Sequence, residues 1–145
     1  LTGPITADLF VSLSGTDADF IVKLIDVLPD TEGTENGKDV AGMQRLVRAE
    51  VLRGKFRNSF SRPEPFVPGK ITKVTYQLND IAHCFKKGHK IMVQIQSSWF
   101  PLVDRNPQKY MAIAGANNKD FTPATIRIYH DARHPSVIRV LQLYK

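Results

Sequence analysis

Along residues 5–13 the side chains alternate, with Ile5, Ala7, Leu9, Val11 and Leu13 on one side and Thr6, Asp8, Phe10 and Ser12 on the other. A period of two is the pattern of a strand with one buried face. Ser14-Gly15-Thr16-Asp17 then supplies turn chemistry, because glycine tolerates unusual backbone angles and aspartate accepts hydrogen bonds from its own backbone. From Phe20 to Leu28 both faces are apolar apart from Lys23 and Asp26, which suits a strand inside a sheet, and Pro29 ends it. Residues 30–42 hold three glycines and mixed charge without periodicity, so they read as an exposed, mobile hairpin loop.

Strand character resumes at 46–52, with Val47, Ala49 and Val51 expected inward and Arg48 and Glu50 outward. Residues 54–60 are expected to continue extended, though heavily basic. Pro63, Pro65 and Pro68 then exclude helix or central strand and predict a stiff crossover between two sheets. Ile71 to Leu78 alternates through Val74, Tyr76 and Leu78. Residues 79–85 have the makings of one helical turn, capped by Asn79 or Asp80. Lys87-Gly88-His89 turns the chain again.

From Gly88 to Asn106 the pattern changes midway. Ile91, Val93 and Ile95 oppose Lys90, Gln94 and Gln96, while Met92 interrupts the polar side and points to partial cover there. Pro101 has no N–H and restricts Phe100, so the strand must give way to a loop. That loop carries Trp99, Phe100, Asp104, Arg105 and Asn106: the sole tryptophan, an acid, a base and an amide in one place. Residues 107–124 are irregular, and 125–130 and 136–143 are the last predicted strands. Seven or eight short strands, turn signals and no long helix predict an all-β, antiparallel two-sheet sandwich. Long crossovers in place of simple hairpins make it a jelly-roll β-sandwich.

At 145 residues the chain is one domain, long enough to bury a core, with 42% hydrophobic and 23% charged residues excluding wholesale disorder. Lysine and arginine outnumber aspartate and glutamate by 20 to 14, a net charge of +6 that raises a nucleic-acid partner. The basic residues are spread along the chain, and the densest group is only Lys86, Lys87, His89 and Lys90. A solvated surface explains them, and no nucleic-acid partner is expected. Cys84 stands alone, which excludes an internal disulfide and a cysteine-only metal site. No apolar run approaches the roughly 18 residues of a membrane span. The compartment stays open between cytoplasm and a periplasmic or secreted location in a bacterium. The chain starts at Leu1 and runs almost at once into strand, as a domain cut from a longer polypeptide would.

Hydrolase chemistry of the α/β type needs a serine on a sharp elbow, usually Gly-x-Ser-x-Gly, and no serine here has that context. His83, His89, His130 and His134 with Asp80, Asp104 and Asp131 contain the parts of a convergent triad, but loop and surface histidines are the plainer account. Asp8, Asp17 and Asp19 have the oxygen chemistry for Ca²⁺, yet Asp17 is equally a turn cap and no metal-loop pattern surrounds it. Neither a metal nor a cofactor is expected. Arg105, between Asp104 and Asn106, is suited to gripping a carboxylate or to pairing with Asp104 and pinning the loop. Trp99 and Phe100 suit a ligand pocket or the burial of the loop against another domain.

The run Gly88-His89-Lys90-Ile91-Met92-Val93-Gln94-Ile95, with Ser97-Ser98-Trp99-Phe100-Pro101 and Asp104-Arg105-Asn106-Pro107, resembles a known hydrolase family. It is similar to the C-terminal domain of X-Pro dipeptidyl-peptidases, cocaine esterase, α-amino acid ester hydrolases and glutaryl-7-aminocephalosporanic-acid acylase-like enzymes. Thr2 to Ala7, Asp17 to Val27 and His134-Pro135-Ser136 resemble it too, so the likeness covers nearly the whole chain. The Trp-Phe-Pro run, Gly54-Lys55-Phe56-Arg57 and Pro63-Glu64-Pro65-Phe66 lean toward the ester hydrolase and acylase branch.

The resemblance implies a galactose-binding-like jelly roll, spanning 1–145, attached to an α/β-hydrolase domain absent from this chain. The catalytic serine, aspartate and histidine would all lie in that other domain, so no catalytic residue is assigned here. The implied role is that of a non-catalytic accessory domain of a serine hydrolase acting on amide, ester or X-Pro peptide bonds. It would pack on the hydrolase domain of the same polypeptide, help shape the active-site entrance reached by a small acyl or peptide substrate, and support homo-oligomers. Trp99, Phe100, Asp104, Arg105 and Asn106 are the expected docking or entrance residues. The alternative is a stand-alone carbohydrate-binding jelly roll, with Trp99 as platform beside Gln96 or Asn106.

Overall fold

A computed structural model describes residues 1–143 of the chain. The strands are β1 (Thr2–Leu13), β2 (Asp19–Val27), β3 (Thr34–Glu35), β4 (Lys38–Asp39), β5 (Gln44–Arg53), β6 (Thr72–Ala82), β7 (Lys90–Gln96), β8 (Ile126–Tyr129) and β9 (Val137–Leu141). One sheet runs β6-β1-β8, with β9 pairing along the other part of the same β1 edge. The second runs β5-β2-β7. All pairings are antiparallel. The two sheets pack face to face as a jelly-roll sandwich, the expected fold class.

Both central strands behave as their patterns require. Ile5, Ala7, Leu9, Val11 and Leu13 of β1 are buried against Phe20, Val22 and Leu24 of β2, with Val74 and Leu78 of β6 completing the layer. The Tyr76 hydroxyl donates to the Phe20 carbonyl at 3.0 Å and ties β6 to β2 across the interior. The polar face of β1 is covered as well. Asp8 accepts from Thr75 Oγ1 at 2.6 Å, lies 3.4 Å from Lys73 Nζ and pairs with Arg139, while Ser12 meets the Tyr129 hydroxyl at 2.9 Å. Buried polar groups need such partners, and here the neighbouring strands provide them.

Phe66, in the proline-rich crossover, reaches the core from a segment without regular structure. Its ring lies 6.1 Å from that of Phe20, and the Arg57 guanidinium sits 4.1 Å over it. The crossover therefore does more than join the sheets, because it fills the space where they diverge. Gly54 permits this approach, since a Cβ there would lie 2.6 Å from the Ala18 carbonyl and 2.7 Å from the Phe66 ring.

Four local expectations need correction. Residues 79–85 form no helical turn; β6 continues to Ala82. A bulge opposite Gly3–Ile5 inserts one extra residue, so Leu78 and Ile81 both face inward at a spacing that imitates a helix. Residues 54–60 do not stay extended, because Gly54–Phe56 is a 3₁₀ turn. In β5, Leu52, Glu50 and Arg48 pair with the core residues Phe20, Val22 and Leu24, so Ala49 and Val51 lie on the outer face. Arg48 and Glu50 are accommodated at the sheet edge, where Arg48 donates to the Asp80 carbonyl at 2.7 Å and Glu50 accepts from Asn79 at 3.3 Å. Only Val47, at the β5 bulge, packs against the core as expected. The 30–42 loop is a hairpin, closed by Asn36 and Gly37 with φ of 52° and 77°.

Candidate functional site

The loop between β7 and β8 is held from behind by a polar cluster inside the sandwich. Asp17 and Asp19 flank the start of β2, two residues apart and therefore on one side of extended chain. Both are buried. Asp17 Oδ1 accepts the backbone N–H of Ala18 at 2.9 Å and of Lys55 at 3.0 Å. The Asn106 amide nitrogen donates to Asp17 Oδ2 at 3.2 Å and to Asp19 Oδ1 at 2.8 Å, and its oxygen accepts the Gln108 N–H at 2.8 Å. Arg53 Nη1 lies 3.6 Å from Asp19 Oδ2, close enough for Coulomb attraction but not for a hydrogen bond. Burial pushes the carboxyls of Asp17 and Asp19 above their ordinary range, and the Asn106 amide with the nearby cations pulls them back only in part.

Further bonds fix the rest of the loop. The Gln108 carbonyl accepts from Thr16 N at 3.1 Å, Tyr110 N donates to Thr16 Oγ1 at 2.8 Å, Lys55 Nζ donates to the Met111 carbonyl at 2.7 Å, and the Tyr110 hydroxyl reaches Pro63 O at 2.9 Å. The loop is irregular, yet it is anchored at both its middle and its flanks.

The five expected residues are thus separated by role. Asn106 is buried and is the anchor. Trp99 is half-buried, with Lys23 Nζ 4.3 Å over its ring on the outer face of the β5-β2-β7 sheet. Phe100 is 65% exposed and precedes a cis proline bond, and Leu102 beside it is 68% exposed. Asp104 is exposed and lies 3.9 Å from Arg53, not against Arg105. The Arg105 guanidinium stacks 4.8 Å from the Phe121 ring and 6.0 Å from that of Phe100. The Asp104–Arg105 pair that would have pinned the loop does not form, and the Asn106 amide does that work. Trp99 with a lysine over its ring is not an open sugar platform.

The other candidate chemistry is dispersed. His83 Nε2 and His89 Nδ1 both contact the buried Asp26 carboxylate, at 2.9 and 2.7 Å, and His134 pairs with Asp131 at 3.3 Å. Asp26 is not among the expected orienters. No hydrogen bond joins a serine hydroxyl to a histidine ring among the described residues. Asp8 is bound by Thr75, Lys73 and Arg139, away from the Asp17–Asp19 pair, so the three do not converge as calcium ligands. Asp19, Lys55 and Arg53 were missed as loop supports. The available signal was the i, i+2 pair of acids just before an apolar strand, which alternation places on one side.

Comparison with known proteins agrees with this geometry. The family profile described as "X-Pro dipeptidyl-peptidase C-terminal non-catalytic domain" matches residues 1–139. Cocaine esterase from Rhodococcus sp. (strain MB1 Bresler) is 36% identical over all 145 residues, which span 23% of that relative. An aminopeptidase from a marine sediment archaeon (Thaumarchaeota archaeon) superposes with a TM-score of 0.87 at 41% identity, over 95% of this chain and 22% of that one. An α-amino acid ester hydrolase also gives 0.87, at 38% identity, over 95% of this chain and 23% of its own. Identities this close do not separate the ester hydrolase branch from the cocaine esterase branch. With a match over nearly its whole length, the chain belongs to the family of X-Pro dipeptidyl-peptidase C-terminal non-catalytic domains.

Proposed function

We propose that this domain is the accessory part of a longer serine hydrolase that cleaves amide, ester or X-Pro peptide bonds, and that it packs on the α/β-hydrolase domain of the same polypeptide. The 97–124 loop is the docking element and forms one wall of the active-site entrance. The observation that carries this is its construction: an exposed Phe100 and Leu102 on a loop whose base is fixed by a buried amide between two buried carboxylates. Exposed apolar side chains on a rigid support are costly in water and favourable at an interface. Arg105, over Phe121 and near Phe100, orients the ledge and offers a cation at its rim.

The test is made in the longer polypeptide. Arg105→Ala and Phe100→Ser should leave the sandwich folded while lowering kcat/KM on a short acyl substrate by about tenfold or more, equivalent to about 1.4 kcal/mol. Wild-type turnover and assembly in both variants would remove the docking assignment.

A further inference from the structure

The core-facing side of β7 is not closed. Ile91, Val93 and Ile95 pair with Asp26, Leu24 and Val22, and cross-strand partners share a face, so all three point between the sheets. Ile95 packs against the core, yet Val93 is 40% and Ile91 58% exposed. On the other sheet Ile138 faces inward beside Ala7, and Val140, two residues on and hence on the same face, is 39% exposed. Between β7 and β8 a cleft of about 280 Å³ opens onto Phe20, Ile95, Ile126 and Ile128. Strand positions with core chemistry but surface exposure mark a core that lacks part of its cover.

The strand edge points the same way. Among the described residues β7 pairs only with β2, so one row of its backbone groups has no strand partner. Free edges are normally blunted by charge, proline or a bulge. Lys90–Gln96 has a single charge, at its first residue, and no proline.

We propose that a further segment of the same polypeptide, outside these 145 residues, lies along β7 as an added strand and fills the cleft between β7 and β8–β9 with apolar side chains at alternate positions. This rests on the reading of the domain as part of a longer hydrolase. The relatives and solved structures above have more than four times the matched length, ample chain to supply such a segment. A second copy fits less well, because pairing β7 with its twin would extend the sheet sideways and place no side chain over Ile91 and Val93.

The experiment uses the longer polypeptide. In the unmodified protein, the alternate β7 amides that do not face β2 should exchange at least about 100-fold more slowly than those of the 34–39 hairpin. p-Benzoylphenylalanine in place of Val93 should, on illumination, couple to a peptide of the same polypeptide from outside these residues, with a yield independent of concentration. Free-edge amides exchanging as fast as the hairpin overturn the proposal, and so do adducts that link differently labelled copies after mixing. Acyl hydrolysis measured on the same preparation separates the two readings: an inactive polypeptide that still gives the intrachain adduct overturns the hydrolase assignment and supports the added strand.

Discussion

The Asn106 amide stands between two buried carboxylates that would otherwise face each other without a donor. One nitrogen serves both, at 3.2 and 2.8 Å. Replacing it with leucine keeps the bulk and removes the donor, so Asp17 Oδ2 and Asp19 Oδ1 lose their shared partner inside the protein. The expected cost is about 3 kcal/mol at neutral pH. Burial already raises both carboxyls above 3.8, so the folded state holds their protons over the range from 3.8 up to the folded values, and stability falls as pH rises through it. Since it is the ionised forms that need the amide, the Asn106→Leu deficit should shrink as pH is lowered toward about 4, as chemical denaturation at several pH values would show. Asp26 behaves oppositely. Burial alone would raise its carboxyl, but the His83 and His89 hydrogen bonds and ring charges outweigh that and hold it below 3.8. Its contribution is therefore present above pH 3.8 and lost as pH falls through the lower folded value. Asp26→Asn should be less stable than wild type at neutral pH, and the gap should close in acid. A gap of constant size across that range would remove Asp26 as its source.

At the scale of elements, legibility tracks the simplicity of each strand's surroundings. β1 and β2 are central, each has one consistent inward phase, and alternation alone places them. β6 is readable until the bulge opposite Gly3–Ile5, where one extra residue turns a period of two into a helical spacing. β5 takes the opposite phase to the one its pattern suggests because an edge strand can seat Arg48 and Glu50 at its rim, and periodicity is blind to which rim is open. The loop between β7 and β8 is located by its unusual residues, but the choice of Asn106 as anchor depends on contacts 87 and 89 residues away. No local pattern encodes those. Gly15 shows the same kind of long-range demand. A Cβ there would sit 2.2 Å from the Gln108 carbonyl, a backbone atom with no room to yield. Gly15→Ala should cost about 1–3 kcal/mol, the usual range for overpacking, and should speed hydrogen exchange in the loop before it affects β5. Unchanged exchange at Gln108 and Tyr110 would show that the close approach is not what seats the loop.

For the molecule as a whole, the question is what makes two sheets one cooperative body when direct bonds between them are few. Phe66 is the side chain best placed to answer it. It leaves the crossover that runs from β5 in one sheet to β6 in the other, enters the core, meets Phe20 of β2, and is capped on its outer side by Arg57. Arg57 in turn donates to the carbonyls of Gly54, Glu64 and Pro65 at 3.1, 2.8 and 2.9 Å, so the crossover is folded around the ring it delivers. The Phe66 N–H bonds the Thr16 carbonyl at 2.8 Å, which ties the same segment to the turn carrying Asp17. Removing the ring therefore opens a cavity at the junction of both sheets and loosens the base of the 97–124 loop. Phe66→Ala should cost about 3–5 kcal/mol, the range for burying no phenyl where one belonged. Its signature is distributed: exchange should accelerate in β2, β6 and the loop together, whereas a core substitution confined to one sheet, such as Val74→Ala, should act first on its own strand neighbours. If Phe66→Ala accelerated only the crossover, the sheets would have to be coupled through β1 and β2 alone. Phe66→Leu, which retains most of the apolar volume but not the ring, should recover much of the coupling and leave the Arg57 contact weakened, separating volume from the cation–π term.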